Sequence, residues 1–282
     1  MKFPPQERFY NFEESEKLKA FFLKACETFK DYRYIILPSI EIYNPVLYGE
    51  RALVLGGLED GSLLCLRKDW TVSLARFLSI QKELELPLRV FYFGNTFSIG
   101  AELESYQVGL ELLGDASVYA EVEVLQRIGE YLKSCGLSEL TLSLGHVGIA
   151  MGLLKKYGEE HRHALLKKNF SELSQVEPLK ELLIKQGGPE VLEEFARRNP
   201  EFQKECERLM QVYESLEGFR VIFDLSDLRP KDYYTGIVFE FFYSSLGYPV
   251  AGGGRYDGLY STLGKDLCAV GGAVYLDLLL EV

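Results

Sequence analysis

Arg229, Lys231, Asp232, Tyr233 and Tyr234 fall immediately ahead of the apolar run Ile237–Tyr243, IVFEFFY, whose one charge is Glu240. Charge and phenol placed where a buried strand begins either line a pocket or cap a sheet edge. Gln107 and Glu111 stand at i and i+4 in YQVGLELLG. On a strand this spacing puts both side chains on one face. An unpaired amide or carboxylate is costly to bury in an apolar β run, so a polar ligand is the simplest partner and an outward, solvated face is the alternative. Asp69 precedes a helical pattern that starts near Thr71, and its first reading is an N-cap. His146 ends a strand with no base or nucleophile to pair with, and His161 and His163 sit in a charged helical segment that reads as solvated surface.

The elements that must carry these residues alternate between helix and strand. Asn11 to Phe29 reads as a helix with Asn11 as N-cap, its apolar residues at three- and four-residue spacing. YRYIILPSIEIY reads as a strand pair or a bent strand. Pro38 interrupts it and, lacking an N–H, belongs at an edge or an interface. Ser62–Leu66 is a strand ahead of the helix near Thr71. RVFYFGNTF and YQVGLELLG, joined by a short polar loop, form a hairpin. SVYAEVEVLQRIGEYLKSCG is an amphipathic helix and ELTLSLGH a strand. From Ile149 to Gly218 the apolar spacing is helical, and Gly187-Gly188-Pro189 breaks the segment into helices. FRVIFDLSD, IVFEFFY and a final strand before an apolar helix follow. Gly247–Pro249 and Gly252–Gly254 punctuate a strand pair, the glycine triplet serving turn geometry. The expected fold is one mixed α/β domain of the α+β type, a large and mainly antiparallel sheet flanked by helices, with a helical insertion over about 149–218.

The chain has 282 residues, 47% hydrophobic and 26% charged, ordinary globular values. A net charge of −11 argues against broad electrostatic capture of nucleic acid, which needs basic surface. Five widely spaced cysteines without a CxxC or Cys/His ligand pattern point to reduced thiols in a cytoplasm rather than disulfides or metal. The charged N-terminus and the lack of any long apolar run predict a protein that is neither exported nor membrane-bound. No cofactor is expected.

Four stretches together resemble a known family. LRKDWT (66–71), FYFGNTF with YQVGLELLG, RPKDYYTGIVFE (229–240) and GGGRYDGL (252–259) are similar to segments of the class II aminoacyl-tRNA synthetase catalytic core, and within it of histidyl-tRNA synthetase. The Asp-Tyr-Tyr and Val-Phe-Glu of the third stretch are in register with that family's own signature, which makes the match specific.

The departures redirect the functional reading. In the synthetases an arginine of the second class motif and one of the third hold ATP; Ser98 and Leu278 stand at those positions here. The loop between Ser98 and Gln107 is also shorter. Each preorganised charge on a developing phosphate oxygen contributes about 3–4 kcal/mol, so adenylation is not expected. The sequence stops soon after the third motif, and no anticodon-binding domain is expected. This combination resembles the regulatory subunits of ATP phosphoribosyltransferase, paralogues of histidyl-tRNA synthetase. The resemblance implies a non-catalytic partner of the short catalytic subunit, a homodimeric core built through YRYIILPSIEIYNP, assembly into a hetero-octamer, and L-histidine as a feedback ligand. The alternatives are a divergent synthetase-like enzyme and a scaffold that binds no ligand.

The resemblance also distributes roles. Asp69 and Thr71 meet the ligand ammonium, for which a carboxylate with a nearby hydroxyl is suited. Glu111 and Tyr234 meet the imidazole, with Gln107 beside them. Tyr233 and Tyr234 point to opposite faces if the strand has begun, which leaves Tyr233 to packing. Tyr256 is a further lining residue. Arg229 pairs with the ligand carboxylate or, alternatively, makes a surface salt bridge with Asp227 or Asp232. Lys231 replaces the family's usual leucine and has no account.

Overall fold

The computed structural model describes residues 7–48, 52–100, 102–229 and 233–282. Lys231 and Asp232 therefore lie outside the described residues. The first helix, α1 (Phe12–Thr28), starts where the sequence places it. Asn11 accepts from the Glu14 N–H while Glu14 reaches back to the Asn11 N–H, a reciprocal cap. The chain then divides around Pro38 into β1 (Arg33–Tyr34) and β2 (Ile40–Ile42), which join different sheets. A short helix α2 (Pro45–Tyr48), β3 (Val54–Gly57) and β4 (Leu63–Leu66) complete the smaller sheet, of order β2-β4-β3. Helix α3 (Trp70–Ser79) follows.

The hairpin β5 (Leu88–Phe97) and β6 (Glu104–Leu113) leads to α4 (Val118–Ser134) and β7 (Leu140–His146). Next come α5 (Val147–Tyr157) and the short helices α6 (Arg162–Leu166), α7 (Phe170–Leu173), α8 (Glu177–Ile184), α9 (Glu190–Arg198) and α10 (Gln203–Glu214). One correction falls inside this helical stretch. Gln186–Gly187 forms a two-residue strand, β8, that pairs antiparallel with β9 (Arg220–Asp224). A Gly-rich breaker between helices here supplies an edge strand as well as a stop. His146 caps α5, its Nδ1 accepting from the Gly148 N–H at 3.1 Å, and burial holds its imidazole down to about 4.

The last strands are β10 (Ile237–Tyr243), β11 (Pro249–Arg255) and β12 (Ala269–Tyr275), with α11 (Asp257–Thr262) and α12 (Leu276–Leu279) after the second and third. The large sheet has nine strands in the order β1-β5-β6-β12-β11-β10-β7-β9-β8. Only the β1–β5 and β7–β9 pairs are parallel. Strand β10 lies between β7 and β11 and is buried along most of its length, so apart from Glu240, which pairs with Arg229, its residues are apolar rather than alternating.

Gly252–Gly254 are not in a turn. They occupy the middle of β11, opposite Ala273, Gly272 and Gly271 of β12. A Cβ on Gly253 would lie 2.1 Å from the Gly271 carbonyl oxygen, and one on Gly254 would lie 2.4 Å from that of Ile237. Close strand approach, not chain reversal, requires these glycines. The reversal between β10 and β11 is made by residues 244–248.

Alternation along the central strands gives the sheet two unlike faces. Val108, Leu110, Leu112, Val270 and Val274 join the main core with α1 and α4. The opposite face carries Gln107, Gly109, Glu111, Gly271, Ala273 and Tyr275. It faces α3, α11 and the small sheet, whose residues form a second core with Trp70, Tyr92 and Tyr256. The candidate site lies on that second face.

Candidate functional site

Register fixes the floor of the site. Tyr92 lies opposite Gly109, Gly109 opposite Ala273, and Ala273 opposite Gly252. In the next row of the same face Glu111 is opposite Gly271 and Gly271 opposite Gly254. Each small residue makes room for a large neighbour. A Cβ on Gly109 would meet the Tyr92 ring at 2.3 Å, and one on Gly271 would meet Glu111 Oε2 at 1.5 Å. The resulting cavity, of about 60 Å³, lies between this floor and the Asp69–Thr71 and Tyr233–Tyr234 segments.

Glu111 is fully buried and receives three hydroxyls. Tyr256 donates to Oε2 at 2.6 Å, Thr71 to Oε1 at 2.8 Å and Tyr92 to Oε1 at 3.3 Å. Burial nevertheless pushes its carboxyl up to about 7, because three donors offset only part of the lost hydration. Asp69 serves both readings of the sequence. Its Oδ1 accepts from the Val72 N–H at 3.2 Å and caps α3, while its Oδ2 accepts from the Tyr233 phenol at 3.1 Å.

Seven of the eight expected residues converge here. Asp69, Thr71, Gln107, Tyr233, Tyr234 and Tyr256 line the cavity, and Glu111 lies beneath it behind its three donors. The opposite-face argument for the two tyrosines fails. Tyr233 and Tyr234 precede β10, so strand alternation does not apply, and their rings stand 4.8 Å apart on the same cavity. Arg229 does not line it. It donates to Glu240 at 2.6 Å, to Asp227 at 2.8 Å and to the Phe239 carbonyl at 3.0 Å, with its side chain only 14% exposed. The salt bridge with Asp227 is therefore present but buried, not superficial. Burial pushes the Asp227 carboxyl up to about 6 despite the guanidinium beside it.

Trp70, Tyr92 and Tyr275 also line the site and were not singled out from sequence. Trp70 stacks on Tyr92 with ring centroids 4.6 Å apart, and the Arg67 guanidinium covers the indole at 3.4 Å. Arg67 is buried and donates to the carbonyls of Leu37, Pro38 and Asn95, tying the segment around Pro38 to β5. The alternation Gly271, Ala273, Tyr275 was readable, but only once β12 was known to pair with β6.

Among the described residues no group of three or more metal-ligating side chains occurs. A wider depression lined by Asp31, Arg89, Glu123 and Arg127 has its charges already paired: Arg89 is bidentate to Glu123 at 2.7 Å, and Arg127 reaches Asp31 at 3.1 Å. The cavity over Glu111 differs. Two carboxylates, an amide and a ring of phenols face or underlie it, and among the described residues no Lys or Arg lines it. It suits a small ligand that brings positive charge and N–H donors.

A nine-stranded, mainly antiparallel sheet with this polar cavity on one face, flanked by helices, defines a catalytic-core domain of the class II aminoacyl-tRNA synthetase type. The family model described as histidyl-tRNA synthetase matches residues 7–279. The chain is 38% identical over 294 residues to the ATP phosphoribosyltransferase regulatory subunit of Aquifex aeolicus, across 98% of this chain and 74% of that one. A crystal structure described as an ATP phosphoribosyltransferase regulatory subunit/histidyl-tRNA synthetase from Bacillus halodurans superimposes with a TM-score of 0.90 at 29% identity, covering 99% of this chain and 82% of the other. Histidyl-tRNA synthetase from Nostoc shares the fold, with a TM-score of 0.79 at 17% identity over 99% of this chain and 74% of its own. The chain belongs to the family of ATP phosphoribosyltransferase regulatory subunits, within the histidyl-tRNA synthetase-like proteins.

Proposed function

We propose that this chain is a non-catalytic regulatory subunit of ATP phosphoribosyltransferase, acting at the first step of histidine biosynthesis. It binds histidine in the cavity over Glu111 and controls the short catalytic subunit by feedback. The observation that carries the reading is that two carboxylates, Asp69 and Glu111, and a ring of phenols face or underlie one small cavity. Histidine supplies what they need, an ammonium for Asp69 and Thr71 and ring N–H groups for the hydroxyls and carboxylate at Glu111. Gln107, Tyr233, Tyr234 and Tyr256 complete the contacts. Arg229, held by Asp227 and Glu240, is not among the lining residues, and its pairing with the ligand carboxylate is not part of this reading.

Adenylation is not part of this reading. Ser98, just after β5, and Leu278, in α12, stand by the resemblance in place of the synthetases' ATP-binding arginines. Removing two such charges costs about 3–4 kcal/mol each in transition-state stabilisation. A homodimeric core inside a hetero-octamer belongs to this reading, and Ile40 and Ile42 are both exposed on one face of β2 in the small sheet. No helix among the described residues is long and apolar enough to cross a membrane, and all five cysteines are unpaired, as in a reducing cytoplasm.

The test is co-purification with the short catalytic subunit, with turnover measured with and without histidine, alongside calorimetry of histidine and histidine-dependent ATP–pyrophosphate exchange. Complex formation, histidine-sensitive turnover and no exchange are expected. Measurable exchange indicates a divergent synthetase, and complex formation without histidine binding indicates a scaffold.

A further inference from the structure

The floor of the cavity runs along β6 and β12 from Glu111 to Gln107, and Gln107 pairs with Tyr275, the last residue of β12. At about 3.4 Å per residue these ends are roughly 13 Å apart. Three hydroxyls crowd the Glu111 end. At the other end Tyr275 lines the cavity beside Gln107. The Tyr275 phenol oxygen lies over Gly252, 3.3 Å from where a Cβ on that glycine would be. Ala273, two residues before Tyr275 on the same face, is too small to obstruct the middle of the floor.

We propose that Tyr275 sets the length selectivity of the cavity: its ring stops the floor at Gly252, so the pocket admits a free amino acid and rejects one extended at its carboxyl group. This rests on the histidine reading above. A ligand with its ring at Glu111 and its ammonium at Asp69 and Thr71 directs its carboxyl substituent toward Gln107 and Tyr275. A tyrosine is suited to this place because its ring blocks by bulk.

The experiment is calorimetry of L-histidine, histidinamide and the N-benzyl derivative of histidinamide on the wild-type protein, Tyr275→Ala and Tyr275→Phe. The two amides carry the same charge and differ only in bulk. The wild type and Tyr275→Phe are expected to prefer histidinamide over its benzyl derivative by at least about tenfold. Tyr275→Ala is expected to shrink that ratio at least about fivefold while still binding histidine. If thermal melts show Tyr275→Ala unfolded, Tyr275→Leu, shorter than the phenol, carries the same comparison. A ratio that is unchanged in the shortened variant, with histidine binding intact, overturns the role of Tyr275 alone. Failure of the wild-type protein to bind histidine overturns both this role and the histidine reading.

Discussion

The phenol of Tyr256 donates to Glu111 Oε2 at 2.6 Å, joining two residues 145 positions apart inside the second core. The contact is the shortest of three that hold a carboxylate with no access to water. Tyr256→Phe removes one donor to that group. The loss of stability is expected to be about 1–3 kcal/mol near pH 8, where the carboxylate is charged, and smaller near pH 5.5, where it carries a proton. Urea unfolding at the two pH values checks this.

Glu111 also imposes a pH dependence. Its folded-state carboxyl titrates at about 7, above its ordinary 4.5, so the folded state binds the extra proton between these values. Its contribution to stability is therefore present in full below about 4.5 and is lost as the pH rises to about 7. A shift of this size corresponds to about 3 kcal/mol. Asp227 acts in the same direction up to about 6, whereas His146, held down to about 4, gains stability as pH rises. The difference between wild type and Glu111→Gln isolates Glu111: the variant is expected to lack its share of the decline across this window.

Two adjacent glycines separate folding from ligand access. A Cβ on Gly253 would meet backbone, the Gly271 carbonyl at 2.1 Å, which cannot yield without moving β12. Gly253→Ala is expected to destabilise by about 1–3 kcal/mol or more, the usual cost of overpacking. At Gly252 the nearest atoms are 3.3 Å away, but the new methyl enters the cavity floor. Gly252→Ala is expected to cost less stability than Gly253→Ala and to bind histidine more weakly.

Substitutions at the pocket should separate sensing from assembly. In the complex with the catalytic subunit, Glu111→Ala and Tyr234→Phe are expected to weaken histidine inhibition by about tenfold or more while the complex still forms. Activity against histidine concentration, with size-exclusion chromatography of the same samples, reads both quantities.

The exposed side of the small sheet carries a prediction of its own. Ile40 and Ile42 are 53% and 48% exposed on one face of strand β2. Ile40→Lys and Ile42→Lys place charge on that apolar face and are expected to shift a dimer to monomer, with little change in the melting of the monomer. Sedimentation equilibrium is the measurement.

The sequence by itself determined most of the elements. Spacing at three and four residues, the Asn11 and Asp69 caps, and the hairpin around residues 98–103 depend on neighbours close in the chain, and the structure has them there. The i and i+4 placement of Gln107 and Glu111 on one face is likewise a local property of a strand. Only the tertiary structure decided what those faces meet. The Gly252–Gly254 triplet has the composition of a turn, and only the closeness of β12 explains it as strand. Arg229 could have faced ligand or carboxylate, and Glu240, brought beside it by β10, took its charge. Tyr233 and Tyr234 share a cavity because the segment before β10 is irregular, so period-two alternation had no hold on them. Tyr92, Trp70 and Tyr275 complete the site from three separate elements. Their meeting is a matter of sheet order and register, and both are set by long-range packing that no local pattern encodes.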